Sequence, residues 1–487
     1  MTKLKNRNPS LIVLAIFMLF LIAFIAVPFG LADLTDVKDY SGTAKFFAGE
    51  YRAKLRTSHS LLYGLMLTPY VKLTNNFFLL KFTSVIWLSL LILSVYYISG
   101  KNKKTLYLVL TCPLIWLMSP WLSPLPLVSL LSLWAYFLIK KFDSEEKFKY
   151  LFYSGLLIGL ASALWEPALY VSFIFLLAFL YNKKLHHSIL FIIAIFMAMI
   201  PNFILNQIIY GFPFYSLVKY FFAVIAFAIY NGAYEQGYSN PGFKAFLIMF
   251  LFMPSYFYIF FKKNNFIKYK KEVIFISLTF LFTLTNPQVR LLIIFTPIII
   301  LLLGRELNSK QLKRQISIFI LLSLLAVSVY AIQISQDTNA PTIEKVLWQF
   351  PNIEFYNPRP HTLIESDLDK IAQDYANQVF VVGNTNDDYQ GLAHLYWGDK
   401  IREFVSMEDY NLFFSNRTTI ASKKVSSNSL PEFRREIWLE IGLGKNLNDP
   451  TDYKSIRYGI STSEDLDLPG FKFKKKYKVL SVFEKEN

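Results

Sequence analysis

The chain has 487 residues, of which 54% are hydrophobic and 17% aromatic, and its formal net charge is +16. Apolar runs of about 20 residues, the length that crosses a bilayer, recur along most of it. This composition argues against a soluble globular protein and predicts a polytopic α-helical membrane protein.

The net positive charge is compatible with two classes of protein. A strongly basic chain can bind nucleic acid. Here, however, Lys and Arg lie in short loops that alternate with loops lacking them, which is the positive-inside pattern of membrane proteins. We therefore expect no nucleic-acid partner. The basic segments are Lys3 to Arg7, Lys101 to Lys104, Lys140 to Lys149, Lys183 to Lys184, Lys262 to Lys271 and Arg305 to Arg314.

The alternation predicts about eleven membrane spans with a cytoplasmic N-terminus. The first run follows a basic tip and is read as a retained span rather than a cleaved signal peptide. The apolar stretch 212–230 is not counted as a span, because 188–206 and 244–261 already join two basic loops. It predicts an outer interfacial or re-entrant helix. The spans are roughly 11–31, 77–99, 105–119, 126–139, 151–165, 168–181, 188–206, 244–261, 273–285, 290–303 and 316–334.

The chain divides near residue 335 into a membrane domain, 1–335, and an extracytoplasmic domain, 336–487. Helical spacing of apolar residues at 368–375 alternates with short apolar runs at 378–383 and 400–405, and a last strand is predicted at 477–483. Strands that alternate with helices predict a small α/β domain. Cys112 is the only cysteine, so no intrachain disulfide can form.

The first outer loop, 33–76, carries several ionisable residues outside the membrane, among them Asp36, Asp39 and His59. Apolar residues between Tyr40 and Tyr51 recur at helical spacing, which predicts an amphipathic helix on the membrane surface. Asp36 begins that helix. An acidic residue at the mouth of a bundle indicates a functional site, although a solvated loop charge has the same pattern.

Several short patterns follow one another along the chain: Asp36-x-x-x-Tyr40-x-x-x-Ala44, Gly49-Glu50-Tyr51, Ser60-Leu61-Leu62-Tyr63 with Pro69, Gly155 to Ala161, and Arg290 followed by Pro297. Together they resemble the GT-C fold glycosyltransferases that use polyprenyl-phosphate sugars. That group includes the protein O-mannosyltransferases and the aminoarabinose transferase of lipid A. The resemblance covers about residues 10 to 305. Its departures are Val37 in place of a second acidic residue and a loop 119–126 without any acid.

The resemblance implies inverting transfer of a hexose or pentose on the outer face of the plasma membrane. The donor would be a polyprenyl-phosphate sugar and the acceptor a lipid, a glycan or a protein. Such a reaction needs a general base and a cation for the departing phosphate. Asp36, with Asp39 or Glu166 as helper, is the candidate catalytic group. Arg290, Tyr40 and His59 are candidate substrate-binding residues.

No cofactor is indicated with certainty, and no metal-ligand set is assigned, although a divalent metal would suit a phosphate donor. Membrane lipids are expected partners, since basic loops attract anionic headgroups. Purely structural roles remain open for three of these residues: Arg290 could anchor at the membrane interface, Glu166 could be a charge at a helix end, and His59 could be an ordinary loop histidine. Two other functions stay open too, a transporter or lipid-linked-glycan flippase and a non-catalytic cell-envelope assembly protein.

Overall fold

A computed structural model describes the chain at residues 34–49, 60–73, 77–119, 122–181, 183–218, 263–283, 289–333, 354–355, parts of 367–382, 401–403, 457–461, 470–478 and 480–486. Most of these residues are helical, and a small sheet lies towards the C-terminus. This confirms the predicted class at the level of a mostly helical protein with a small C-terminal sheet. The predicted span 244–261 and the first span, 11–31, lie outside the described residues.

Between residues 77 and 210, short connections join the described helices. A 3₁₀ helix, Val289–Ile294, precedes the α-helix that begins at Thr296. The α-helices are α1 (Leu34–Ala48), α2 (Leu61–Leu73), α3 (Phe77–Ile98), α4 (Lys103–Leu110), α5 (Pro113–Met118), α6 (Leu125–Glu145), α7 (Phe148–Leu164), α8 (Ala168–Leu180), α9 (Leu185–Tyr210), α10 (Lys263–Lys268), α11 (Lys270–Thr283), α12 (Thr296–Glu306) and α13 (Ser309–Ala331).

Two predicted spans are not single α-helices. The span predicted at 105–119 is α4 and α5, separated at Cys112, because Pro113 has no backbone N–H and occupies the first turn of α5. The span predicted at 290–303 begins as the 3₁₀ helix, and α12 starts only at Thr296, again with a proline in its first turn. In each case the proline starts a new helix rather than continuing the old one.

The chain divides into two compact units. Unit 1 comprises 1–30, 81–200 and 241–331, and unit 2 comprises 31–80, 201–240 and 332–487. The loop predicted to be the first outer one therefore belongs to the same unit as the C-terminal region. The boundary predicted near residue 335 stays a prediction.

Ion pairs gather several helix ends of unit 1. Asp143, near the end of α6, contacts Lys183 at 2.9 Å and Lys271 at 3.0 Å. Glu306, at the end of α12, contacts Lys268 at 2.7 Å. The lysines belong to loops that the charge pattern assigns to the cytoplasmic side. These ion pairs bring the ends of α6, α8 and α11 together in unit 1, and the sidedness of these loops stays a prediction.

Helix α7 contacts α9 through two glycines. A Cβ on Gly159 would lie 2.4 Å from the carbonyl oxygen of Ile195, and a Cβ on Gly155 would lie 2.7 Å from that of Phe191. Only glycine lets two backbones approach so closely. The pattern Gly155 to Ala161 therefore has a packing role in unit 1.

Two described helices, α6 and α9, are long and apolar enough to cross a membrane by length and composition. In α6, 72% of the apolar segment is buried, but in α9 only 28% is. Four shorter apolar helices accompany them. The polytopic membrane class, with about eleven spans, remains a prediction.

The strands are β1 (Ile332–Gln333), β2 (Glu354–Phe355), β3 (Phe380–Val382), β4 (Ile401–Glu403), β5 (Tyr458–Ser461), β6 (Phe471–Lys476) and β7 (Ser481–Lys485). The C-terminal sheet has the order β4-β3-β5-β7-β6. Strands β4, β3 and β5 are parallel, β7 is antiparallel to β5, and β6 is antiparallel to β7. Strands β3 and β4 lie where the sequence predicts them. The strand predicted at 477–483 is displaced, because β7 begins only at Ser481.

Candidate functional site

Helix α1, which carries the acidic motif of the first outer loop, packs against α2 in unit 2. The rings of Tyr40 and Tyr63 meet edge to face with centroids 4.9 Å apart, and both rings are buried. Further along, the Thr68 hydroxyl donates to the Ala44 carbonyl at 3.4 Å. Contacts that advance along both helices together show that α1 and α2 run in the same direction.

A glycine sets the distance between these helices. A Cβ on Gly64 would lie 2.3 Å from Cγ2 of Thr43, and Thr43 is buried. The predicted amphipathic helix therefore exists, but the residues Tyr40 to Lys45 are largely buried. Its apolar side faces α2, so packing against protein accounts for the helical spacing seen in the sequence.

Asp36 and Asp39 lie in the first two turns of α1. Asp36 is one turn before Tyr40, and Ser60 is one turn before Tyr63. Because α1 and α2 are parallel, the turn of Asp36 is level with the start of α2. The side chains of Asp36 and Asp39, and His59 as a whole, lie outside the described residues.

A buried polar cluster begins at the same end of α2. The Ser60 hydroxyl caps α2 by accepting from the Leu62 N–H at 3.2 Å, and donates to Oδ1 of Asn202 at 3.5 Å. Nδ2 of Asn206 donates to the Ser216 hydroxyl at 3.1 Å, and Nδ2 of Asn202 to the same hydroxyl at 3.4 Å. These contacts join the first outer loop to the end of α9 and to the segment after it.

The four members of this amide–hydroxyl cluster, Ser60, Asn202, Asn206 and Ser216, are all buried. Burying an amide is unfavourable unless hydrogen bonds replace its water. Nδ2 of Asn206 also donates to the Asn202 carbonyl at 2.8 Å, whereas Oδ1 of Asn206 accepts no hydrogen bond in the described part of the chain. Amides and hydroxyls that both donate and accept are the groups that recognise the hydroxyls of a sugar.

Sequence reasoning missed this cluster. Its one readable signal is the spacing of Asn202 and Asn206, which are four residues apart and thus on one face of an otherwise apolar helix. Ser60 is 142 positions away from Asn202. No periodicity links residues at that separation.

Glu166 and Arg290 belong to unit 1. Glu166 is buried in the turn between α7 and α8, where its carbonyl accepts from the Leu169 N–H at 3.0 Å. Arg290 lies half-buried in the 3₁₀ helix. The Ser129 hydroxyl, one turn into α6, donates to the Ile293 carbonyl at 2.7 Å, which places the 3₁₀ helix at the start of α6.

The start of α8 lies at this same end. Tyr136 and Phe179, on the later parts of α6 and α8, have ring centroids 5.7 Å apart, and the ends of both helices meet through Asp143 and Lys183. Because α6 and α8 are thus parallel, their starts lie together. Unit 1 therefore brings Glu166 and Arg290 to one end, opposite the lysine-rich end.

The candidate substrate-binding residue Tyr40 is 2% exposed. Its ring is part of the contact between α1 and α2, and a role in substrate binding stays a prediction. Within the described ranges, no three metal-ligating side chains come together. Those residues thus give no metal site through which a reaction step could be derived.

The chain matches no protein-family model, and comparison with curated proteins also gives no match. The GT-C resemblance therefore rests on the residues of this chain alone.

Proposed function

We propose that this chain is a polytopic membrane glycosyltransferase of the GT-C type. It would move a hexose or pentose from a polyprenyl-phosphate donor to a lipid, glycan or protein acceptor on the outer face of the plasma membrane. The observation that best supports the proposal concerns the start of helices α1 and α2. There the turn of Asp36 is level with the polar cluster of Ser60, Asn202, Asn206 and Ser216.

Exposed apolar faces support the membrane part of the proposal. Helix α9 exposes isoleucine, phenylalanine and methionine along one side, with Ile193 at 49% and Phe196 at 55% exposed. Helices α3, α8 and α13 expose large apolar residues as well. In water such faces would be costly, but in lipid they are the expected surface.

The proposed reaction is a direct displacement. The Asp36 carboxylate takes the proton from an acceptor hydroxyl, whose oxygen attacks the anomeric carbon of the donor. The bond from that carbon to the phosphate oxygen breaks, the configuration inverts, and polyprenyl phosphate leaves with the electron pair. The departing phosphate needs a cation, and the resemblance makes Arg290 the candidate for that role, with Glu166 or Asp39 as candidate helper.

The amide–hydroxyl cluster would serve this reaction by fixing the start of α2, which is level with the turn of Asp36. A lipid-phosphate donor also explains a chain without a glycine-rich nucleotide loop. That donor would be held partly by the bilayer itself.

The direct test is transfer from a panel of radiolabelled polyprenyl-phosphate sugars by the purified full chain in liposomes. We expect label to move from at least one hexose or pentose donor to a lipid, glycan or peptide acceptor. Boiled protein and liposomes alone are the controls. Absence of transfer from the whole panel, with folded protein, would count against the enzyme.

Sidedness has a separate test that uses the single native cysteine. In a Cys112→Ser background, Lys54→Cys should react with an impermeant thiol reagent in intact cells, and Lys103→Cys should react only after permeabilisation. The opposite pattern would place the first loop inside and remove the basis of the proposed site.

A further inference from the structure

The edge strand of the C-terminal sheet is rich in lysine. Among the described strands, β6 pairs only with β7, and all its residues except Phe471 are exposed. Lysines on an edge strand discourage pairing with other chains, so their number alone does not indicate a binding site. The lysines of β6 and the turn after it are Lys472, Lys474, Lys475, Lys476 and Lys478.

Three of these lysines are neutralised by acids of the same domain. Nζ of Lys474 lies 2.7 Å from Glu484. Nζ of Lys475 lies 2.6 Å from Asp374, and Lys472 pairs with Glu486. Their charges are thus offset, although Glu484 is shared with Arg457 at 3.1 Å.

Beside the end of β6 lies a cleft of ≈ 420 Å³, which we name the lysine cleft, lined by Asp367, Lys370, Asp374, Lys475, Lys476, Tyr477 and Lys478. Four lysines thus face two aspartates. Both aspartates are already engaged by protein groups. Asp367 is buried and accepts the Leu480 N–H at 3.0 Å. Asp374 accepts from Lys475 at 2.6 Å and from the Tyr477 hydroxyl at 2.5 Å.

These bonds fix the charge state of the cleft. The hydrogen bond from Lys475, followed by the one from Tyr477, lowers the pKa of Asp374. Burial and the bond to Asp374 raise the pKa of Tyr477. At neutral pH Asp374 is therefore ionised and Tyr477 keeps its proton. The group of Lys475, Asp374 and Tyr477, which forms one side of the cleft, thus carries no net charge.

Lys370 and Lys478 supply the surplus charge of the cleft. Both are exposed. Neither has a hydrogen bond or an ion pair within 4 Å among the described residues, although the charge of Lys370 helps to lower the pKa of Asp374. Lys370 comes from the helical segment before β3, and Lys478 from the turn after β6. Two ammonium groups from separate segments thus lie beside a side of the cleft that has no net charge. Their positive charge favours the binding of an anion.

We propose that the lysine cleft binds a phosphate group. Each lysine offers a compact ammonium with several N–H donors, which suits the oxygens of a phosphate monoester or diester. Such a group could come from a lipid headgroup or from a soluble phosphate compound. The proposal does not depend on the transfer reaction, since the cleft lies wholly in the C-terminal domain.

The test uses the full chain in neutral detergent and radiolabelled inorganic phosphate in equilibrium dialysis, with ionic strength held constant by chloride. The test variant is Lys370→Gln with Lys478→Gln. The matched control is Lys472→Gln with Lys474→Gln, which removes the same amount of positive charge from strand β6, outside the cleft. Size-exclusion profiles check that both variants stay folded.

We expect saturable binding by the wild type and a dissociation constant raised about tenfold in the test variant, since each ammonium near a phosphate contributes a factor of roughly five in water before salt screening. The control variant should change by less than about twofold, because its charges are more distant and screened. Equal weakening of both variants would show a general surface field, and absence of saturable binding by the wild type would show no site. Either result overturns the proposal.

A second arm identifies the source of the phosphate. Phosphatidylglycerol doped into the micelles should displace bound phosphate if a headgroup occupies the cleft, whereas glycerol phosphate alone should displace it if the ligand is soluble. Displacement by either one supports the proposal. Displacement by neither, at concentrations that saturate the micelle surface, would contradict it.

Discussion

The contact between α7 and α9 yields a stability prediction that can be worked from the structure. In Gly159→Ala the new Cβ would lie 2.4 Å from the carbonyl oxygen of Ile195, 2.7 Å from its Cα and 2.9 Å from Cβ of Ala198. The first two are backbone atoms, which cannot yield as a flexible side chain can. The helices must therefore separate, and such overpacking costs about 3 kcal/mol.

Alanine also favours the helix over glycine by about 1 kcal/mol, so the net loss in the free energy of unfolding should be about 2 kcal/mol. That corresponds to a melting temperature lowered by roughly 4–8 °C. The matched control is Gly42→Ala in α1, where a Cβ would meet no atom within 4 Å. There the helix preference acts alone, and the melting temperature should stay equal or rise by a few degrees.

The assay is thermal unfolding of both purified variants in the same detergent, followed by size-exclusion chromatography of the heated samples. The physical argument requires that Gly159→Ala lose stability and that Gly42→Ala not lose it. A Gly159→Ala variant as stable as the wild type would show that α7 and α9 do not make this close contact.

Three further predictions concern charges. Glu272→Leu removes the acceptor for the buried Tyr136 hydroxyl, which lies 3.0 Å away, and should lower the free energy of unfolding by about 1–3 kcal/mol, measured by thermal unfolding in detergent. The pKa of Asp374 is lowered, first by the hydrogen bond from Lys475. Its contribution to stability is therefore present above its unfolded pKa, near 3.8, and is lost as pH falls through the lower folded pKa. Tryptophan fluorescence from pH 7 downwards should show that the wild type loses more stability in acid than Asp374→Asn does. Arg290→Lys keeps the charge but loses the forked donor, so KM for the lipid-phosphate sugar should rise roughly tenfold while some turnover remains; an unchanged KM would make this arginine an interfacial anchor.

Helix positions were largely predictable, because long apolar runs fix them. The predictions failed where backbone chemistry interrupts the run. Pro113 starts a new helix inside an unbroken apolar stretch, and the same holds near Pro297. A reading by hydrophobicity treats both stretches as continuous, whereas the absence of a proline N–H divides them.

The C-terminal hairpin shows a different failure. Strand β6 has lysines at most of its positions, with a bulge between Phe473 and Lys475, so it lacks the alternation typical of a half-buried strand. The apolar residues after it extended the predicted strand back into the turn. Edge position explains the charge, but edge position is a property of the sheet and not of the local sequence.

The candidate site was predictable only in part. The helix that begins near Asp36 followed from residue spacing, but its burial against α2 through Tyr40 and Tyr63 did not. The polar cluster of Ser60 and Asn202 depends on contacts between segments 142 positions apart. Such pairings arise from tertiary packing, which a single sequence does not reveal.

The central claim is that Asp36 is the general base of a sugar transfer from a lipid-phosphate donor. Asp36→Asn keeps the shape of the side chain but removes the basic carboxylate, and turnover should fall by about 10² to 10⁴. Asp33→Asn makes the same change three positions earlier, outside the motif, and should leave turnover near the wild-type value. The measurement is the initial rate of sugar transfer in liposomes by wild type and both variants at equal amounts of folded protein. Wild-type turnover in Asp36→Asn would contradict the account, because the acid would then be only a solvated residue of the first outer loop.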